Sequence, residues 1–313
     1  MSILTASFSS DIRQKMNELV DALKEKGFSN MGQDQVLKTC LLLIGKDTTF
    51  ELKNFSKKNI KEIEENWEKI TDSIYNAAKL LKTFGYAGYL GSAYILSSVA
   101  YFYFLNQKMD KNDEEQALKF VRNAQITSYF TPSTDTKLNN IANSMKDVKI
   151  FESFNHNLAK HQTWPLKITN DAIEEMMCSS SDARRVFPIL QILYPNLNHK
   201  TNTFHIDHIY PKSKFKKNKK LDKDFCGNHL YNLQLLEGAE NIAKKDKNPE
   251  IWLKEEYKDE RAIEEYKEKN YIDPKLKLEW ENIKEFREKR EEAIIKTLKE
   301  VLLPKSSQEC FFG

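Results

Sequence analysis

The sequence predicts a mostly α-helical protein. A helical domain is expected over 1–165 and a second domain over 166–313, the latter holding a small strand–strand–helix core near 200–250 with helices on both sides. Three observations carry that expectation. Nine glycines and eight prolines in 313 residues leave few turn formers, which favours long helices over a many-stranded sandwich or barrel. Apolar residues recur every three or four positions through most of the first half, the spacing that places them on one helical face. Two short runs, at 204–212 and 231–236, read instead as strands.

Taken in order, Ser9, Ser10 and Asp11 supply capping oxygens ahead of Ile12, Met16, Leu19, Val20 and Leu23, with Gly27 placed to end the helix. Gln35–Ile44 is a short, nearly all-apolar helix ending at Gly45. Ile60, Ile63, Trp67, Ile70, Ile74, Ala77, Leu81 and Phe84 then recur among charged residues until Gly85, predicting one long amphipathic helix. Further helices are expected near 90–106, 113–130 and 134–146, the last opened by the break at Thr131-Pro132-Ser133. The tryptophan, the tyrosines of 94–103 and the leucine stripes are read as core packing.

Composition excludes several classes. With 40% hydrophobic and 30% charged residues the chain is neither disordered nor fibrous. A net charge of +3 is too small by itself to announce a nucleic-acid partner. Cys40, Cys178, Cys226 and Cys310 form no Cys-x-x-Cys pair, against a zinc ribbon. The opening MSILTASFSSDIR lacks the apolar run of a secretory signal. Ala87–Leu105 is uncharged and nearly long enough to span a bilayer. Its serines, glycines and tyrosines, and the absence of flanking basic clusters, favour a buried core helix. A cytoplasmic protein without a membrane partner is expected.

The second half is helical at both ends. Asp171–Cys178 follows a cap at Thr169-Asn170, and Asp182–Leu193 is apolar up to Tyr194-Pro195. Glu279–Leu302 carries Ile283, Phe286, Ile294, Leu298 and Val301 among dense Glu, Lys and Arg, most simply a solvated face with internal ion pairs. Between them lies the stretch built for chemistry. FHIDHIYPK over Phe204–Lys212 ends a strand signal with Asp-His and a proline, YNLQLL over Tyr231–Leu236 is the second strand, and Glu237-Gly238 leads into a helix over Ala239–Lys247. This is the layout of a ββα-metal nuclease site. Phosphodiester hydrolysis needs an activated water and a cation on the phosphate oxygens. A histidine titrating near neutrality suits the first task, and a hard cation held by carboxylate and amide oxygens suits the second. His208 is the candidate base, and Asp207 and Asn241 are candidate oxygen donors. Neighbouring strand side chains point to opposite faces, so Asp207 and His208 share a site only if the chain leaves strand geometry there.

HIDHIYPKS…YNLQLLEGAENIAKK resembles the HNH (His-Me finger) endonuclease motif in the form found at the C-terminus of GmrSD-type, modification-dependent restriction proteins. The preceding helices resemble that family's linking helical region, without a residue-level signature. The resemblance implies a metal-dependent DNA endonuclease acting in restriction or anti-phage defence. It makes Asp207 and Asn241 metal ligands, His208 the general base and Asn232 the residue that holds the intervening loop. The implied cofactor is Mg²⁺, with Mn²⁺ or another divalent cation able to substitute. Lys244 or Lys245, one turn along the helix, is a candidate phosphate contact. Asn228 rivals Asn232, but only Asn232 has the Leu-x-Leu-Leu context.

Two features depart from the pattern. The family's N-terminal ParB-like domain has no counterpart in this sequence, which is consistent with a shortened gene product, a fragment, or one half of a split system whose partner is a separately encoded sensor or NTP-binding subunit. The segment Lys212–Asp224 holds seven lysines and two aspartates, a net +5 in thirteen residues. Lys212, Lys214, Lys216 and Lys217 are therefore candidates for DNA phosphate contact. His205 shares a strand face with Asp207 and is a candidate neighbour of the site. The rival reading is a DNA-binding or regulatory subunit of a split restriction system that has lost catalysis.

Overall fold

The computed structural model describes residues 8–160, 168–181, 184–199, 201–217, 221, 225–238 and 244–303. The chain divides into two compact units, Met1–Leu166 and Lys167–Gly313, and is mostly helical.

In the first unit the helices are α1 (Ser10–Glu25), α2 (Gln33–Leu43), α3 (Lys57–Glu65), α4 (Trp67–Thr83), α5 (Ala93–Asn106), α6 (Lys111–Ile126), α7 (Thr134–Met145) and α8 (Phe151–Ala159). α5 is the hub, packing on α2, α4, α6 and α7. Its uncharged sequence is explained by burial on nearly all sides, from Ala93 through Phe104. Its hydroxyls are satisfied internally: Ser98 donates to Tyr94 O at 2.7 Å and Ser97 Oγ meets Thr39 Oγ1 at 2.6 Å. At fourteen residues α5 is about 21 Å long. Among the described residues no helix is long and apolar enough to cross a membrane.

The single helix expected from Ile60 to Phe84 is broken at Asn66. Its side-chain amide donates to Glu62 O at 2.8 Å, and the local backbone turns to φ −103° before α4 starts at Trp67. An asparagine offering the backbone an alternative partner interrupts the helix, while the apolar stripe on either side stays buried. Helix α8 was not anticipated. It contributes Phe151 and Phe154 to an aromatic cluster with Phe120, and Asp113 accepts the Phe151 N–H at 2.6 Å.

The second unit contains α9 (Asn170–Met176), α10 (Val186–Leu193), β1 (Phe204–His208), α11 (Lys212–Lys217), β2 (Leu233–Glu237), α12 (Pro249–Glu256), α13 (Glu260–Lys269) and α14 (Ile283–Leu302). β1 and β2 form a two-stranded antiparallel sheet with Phe204 opposite Glu237 and His208 opposite Leu233. The second strand begins later than expected, because Leu230–Asn232 is a 3₁₀ turn. Most of the expected Ala239–Lys247 helix lies outside the described residues, as do Trp164-Pro165 and Cys310.

α14 is not merely a solvated face. Ile283, Phe286, Arg290, Ile294 and Leu298 form its buried stripe, while Val301 is exposed. Arg290 is fully buried and donates to the carbonyls of Asn270 (2.8 Å), Tyr231 and Leu233 (2.8 Å), and to Tyr194 Oη (3.3 Å). A buried guanidinium is tolerated when fixed dipoles replace its water. Its effect is to pin the 3₁₀ turn and the start of β2 to α14.

Candidate functional site

The site is built around the chain reversal after β1. Asn232 is fully buried, and its amide closes a clamp: Nδ2 donates to Tyr210 O at 2.8 Å and Gly227 O at 2.7 Å, while Oδ1 accepts the Tyr210 N–H at 2.8 Å. The Asn232 carbonyl also accepts the Ile209 N–H at 2.8 Å. One side chain thus ties the segment leaving β1 to the segment entering β2. Gly227 fits only as glycine, since a Cβ there would meet the buried Phe215 ring at 2.2 Å. Phe215 belongs to α11, so the close approach seats the lysine-rich helix beside the clamp.

His208, the last residue of β1, is largely buried. Its Nε2 lies 2.9 Å from Asn228 Oδ1, which also accepts from Ser181 Oγ at 2.5 Å. Asn228 Oδ1 is an acceptor, so it selects the tautomer with the proton on Nε2 and leaves the Nδ1 lone pair for chemistry. Nδ1 has no hydrogen-bond partner among the described residues. Burial lowers the imidazole pKa from its ordinary range; the Asn228 bond and Asp207 push it back up, and Lys212 and Lys244 add to the lowering. The ring is accordingly neutral at neutral pH, the form a base requires.

Asp207 faces Gln234 across the sheet. Its Oδ2 accepts from Gln234 Nε2 at 2.9 Å and from the Lys244 ammonium at 2.6 Å. Tyr266 Oη donates to Gln234 Oε1 at 2.6 Å and fixes that amide. Lys244 also donates to the His208 carbonyl and lies 5.7 Å from the Trp252 ring. With only 1% of its side chain exposed, Lys244 faces Asp207 instead of the phosphate contact expected of it. Burial lowers its pKa, opposed by Asp207.

Two further expectations are corrected. β1 keeps its register through His208, so the departure from strand geometry falls after the Asp-His pair. By strand alternation the two side chains leave opposite faces of the sheet. Lys212–Lys217 is a short helix, not an open loop. On it Lys216 and Lys217 are exposed, Lys212 is half-buried within electrostatic reach of His208, and Lys214 pairs with Asp246 at 3.5 Å. Lys245 is exposed with φ +51°, His205 is exposed on the Asp207 side of the strand, and Asn241 lies outside the described residues.

A divalent cation needs several oxygen donors. Among the described residues no group of three or more His, Cys, Asp or Glu is placed to hold one, and Asp207 Oδ2 already carries an ammonium. With Lys244 in place, the described donors do not fit such an ion.

Ser181, Gln234, Tyr266 and Arg290 were not anticipated, and Asn228, weighed only as a rival to Asn232, instead tethers His208. Two had a signal in the sequence: Gln234 interrupts the apolar strand Leu233–Leu236, and Arg290 falls on the i, i+4 stripe of α14. Comparison with protein-family models and with curated proteins finds no match to this chain.

Proposed function

We propose that the chain is a DNA endonuclease of the HNH (His-Me finger) type, hydrolysing phosphodiester bonds with His208 as general base. One observation carries the reading: a half-buried imidazole is oriented through Nε2 by Asn228 and stands beside a lysine-rich helix seated by Phe215 and Gly227. In this reading Nδ1 removes a proton from the water attacking phosphorus, the opposite P–O ester bond breaks, and the leaving oxygen takes a proton from solvent. Lys212, Lys216 and Lys217 draw the phosphate backbone toward the ring, since lysine–phosphate attraction is the sequence-independent part of DNA affinity. Asn232 touches no substrate; it holds the reversal that aims His208. The proposed cofactor is Mg²⁺, which Asp207 and Asn241 would hold; this would require Lys244 to release Asp207 Oδ2, and the Asp207–His208 pair to leave the strand register that sends their side chains to opposite faces. Restriction of foreign DNA is the biological role we attach to this activity.

The closed Asp207–Lys244 pair favours a second reading, a DNA-binding or regulatory subunit without catalysis. Incubation with supercoiled plasmid separates the two. The nuclease reading expects nicking or linearisation with Mg²⁺ or Mn²⁺, its loss in EDTA, and a rate lower by roughly 10²–10⁴ in His208→Ala, the usual contribution of a general base. DNA retardation without cleavage in Mg²⁺, Mn²⁺ or Ni²⁺ would establish the second reading.

A further inference from the structure

A second basic feature lies in the helical unit, apart from the histidine site. The end of α1 and the exposed side of α4 enclose a cleft of about 510 Å³ lined by Lys26, Tyr75, Asn76, Ala78, Lys79 and Lys82. Tyr75, Lys79 and Lys82 follow i, i+4, i+7 spacing and share one helical face. Lys26 is placed against them by the turn that ends α1. Gly27 adopts φ +93°, its carbonyl accepts the Gly88 N–H at 2.8 Å, and a Cβ on it would meet Ala87 Cβ at 3.0 Å. The turn is therefore locked to the segment that follows α4.

Three properties of the cleft point to one chemistry. No carboxylate lines it, and among the described residues none of its three lysines is ion-paired. Tyr75 is 36% exposed, unusual for a large aromatic side chain in this fold. The Lys26 ammonium sits 5.6 Å from the ring centroid, so ring and cation are presented together. Cations without carboxylate partners beside a partly exposed aromatic ring are what single-stranded nucleic acid requires, phosphates for the charges and a base for the ring. A lipid surface could engage the same lysines and ring at headgroup level, so vesicles form the competing arm of the test.

We infer that this cleft binds single-stranded nucleic acid, with phosphates on Lys26, Lys79 and Lys82 and a base stacked on Tyr75. The contact operates whether or not His208 hydrolyses the strand. The test is fluorescence anisotropy of a labelled 20-nucleotide oligo-dT with the full chain across a salt series. The triple variant Lys26→Gln, Lys79→Gln, Lys82→Gln is expected to bind at least tenfold more weakly at low salt. Its slope of log affinity against log salt should be shallower by about 2, at ~0.7 per single-strand phosphate. Tyr75→Ala should weaken binding at least fivefold with the slope unchanged. A control triple at exposed Lys57, Lys58 and Lys61 should keep wild-type affinity. The inference is overturned if the cleft variants bind as wild type does, or if the control triple loses as much. It is also overturned if the cleft triple loses only binding to phosphatidylserine vesicles. His208→Ala should bind oligo-dT normally, so failure of the nuclease reading and failure of this one are distinguishable.

Discussion

Asn232 makes three hydrogen bonds to backbone groups across the chain reversal, and truncation leaves all three partners buried. Each orphaned group costs about 1–3 kcal/mol. Asn232→Ala is therefore expected to lower unfolding free energy by roughly 3–5 kcal/mol, read from urea denaturation. Asn232→Asp should be no better, because a carboxylate cannot donate to the Tyr210 and Gly227 carbonyls. Wild-type stability in either variant would contradict the clamp. Lys244 and Asp207 admit a sharper test, since removing one partner of a buried pair leaves the other uncompensated. Lys244→Met should cost about 3–5 kcal/mol. The double variant Asp207→Asn, Lys244→Met should recover part of that loss, giving a coupling energy in a double-mutant cycle. Strict additivity would mean that the 2.6 Å contact carries no energy.

α14 behaves unlike a solvated mixed-charge helix because one of its arginines is inside. Arg290 joins α14 to the 3₁₀ turn carrying Asn232 and to β2, using four carbonyls and a tyrosine hydroxyl with no carboxylate among these partners. Burial lowers its pKa, and burial pushes the Tyr194 hydroxyl up to about 12, with Arg290 opposing that rise. Arg290→Met removes the donor of those carbonyl bonds and should destabilise the second unit by several kcal/mol, on the order of 3–5. Arg290→Lys should rescue only part, because one ammonium cannot reproduce a planar fork. Equal stability of Arg290→Met and wild type in chemical denaturation would refute this role. The same helix shows what a sequence discloses. Its apolar spacing was legible at Ile283, Phe286, Ile294 and Leu298, but the arginine completing that stripe reads as surface by residue type. Likewise both strands were legible from their apolar runs, and Asn232 from its Leu-x-Leu-Leu context. The Asn66 break, the 3₁₀ turn before β2 and the Asp207–Lys244 pair were not. They depend on a side chain capturing a backbone group, or on two residues thirty-seven positions apart meeting in space.

At the scale of the whole molecule, protonation and folding are linked. His199, packed edge-on between Phe187 and Phe204, His208 and His229 all have pKa values lowered chiefly by burial. The unfolded chain, with histidines near pKa ~6.5, then binds more protons than the folded one just below that pH. Stability contributed by these groups is full above about pH 6.5 and falls as pH drops toward their folded values. The urea midpoint should be lower at pH 5 than at pH 7.5, with a plateau above pH 7. A midpoint rising on acidification across that window would reverse the sign of all three shifts.

We propose that a neutral, Asn228-tethered His208 takes the proton of the attacking water. Single-turnover cleavage of supercoiled plasmid from pH 5 to 8 tests it most directly. The expected profile for the wild type has an acid limb with a midpoint below ~6.5, the ordinary histidine value, and that limb should vanish with most of the rate in His208→Ala. Cleavage by His208→Ala at the wild-type rate, or no cleavage at any pH with Mg²⁺ or Mn²⁺ present, would contradict it.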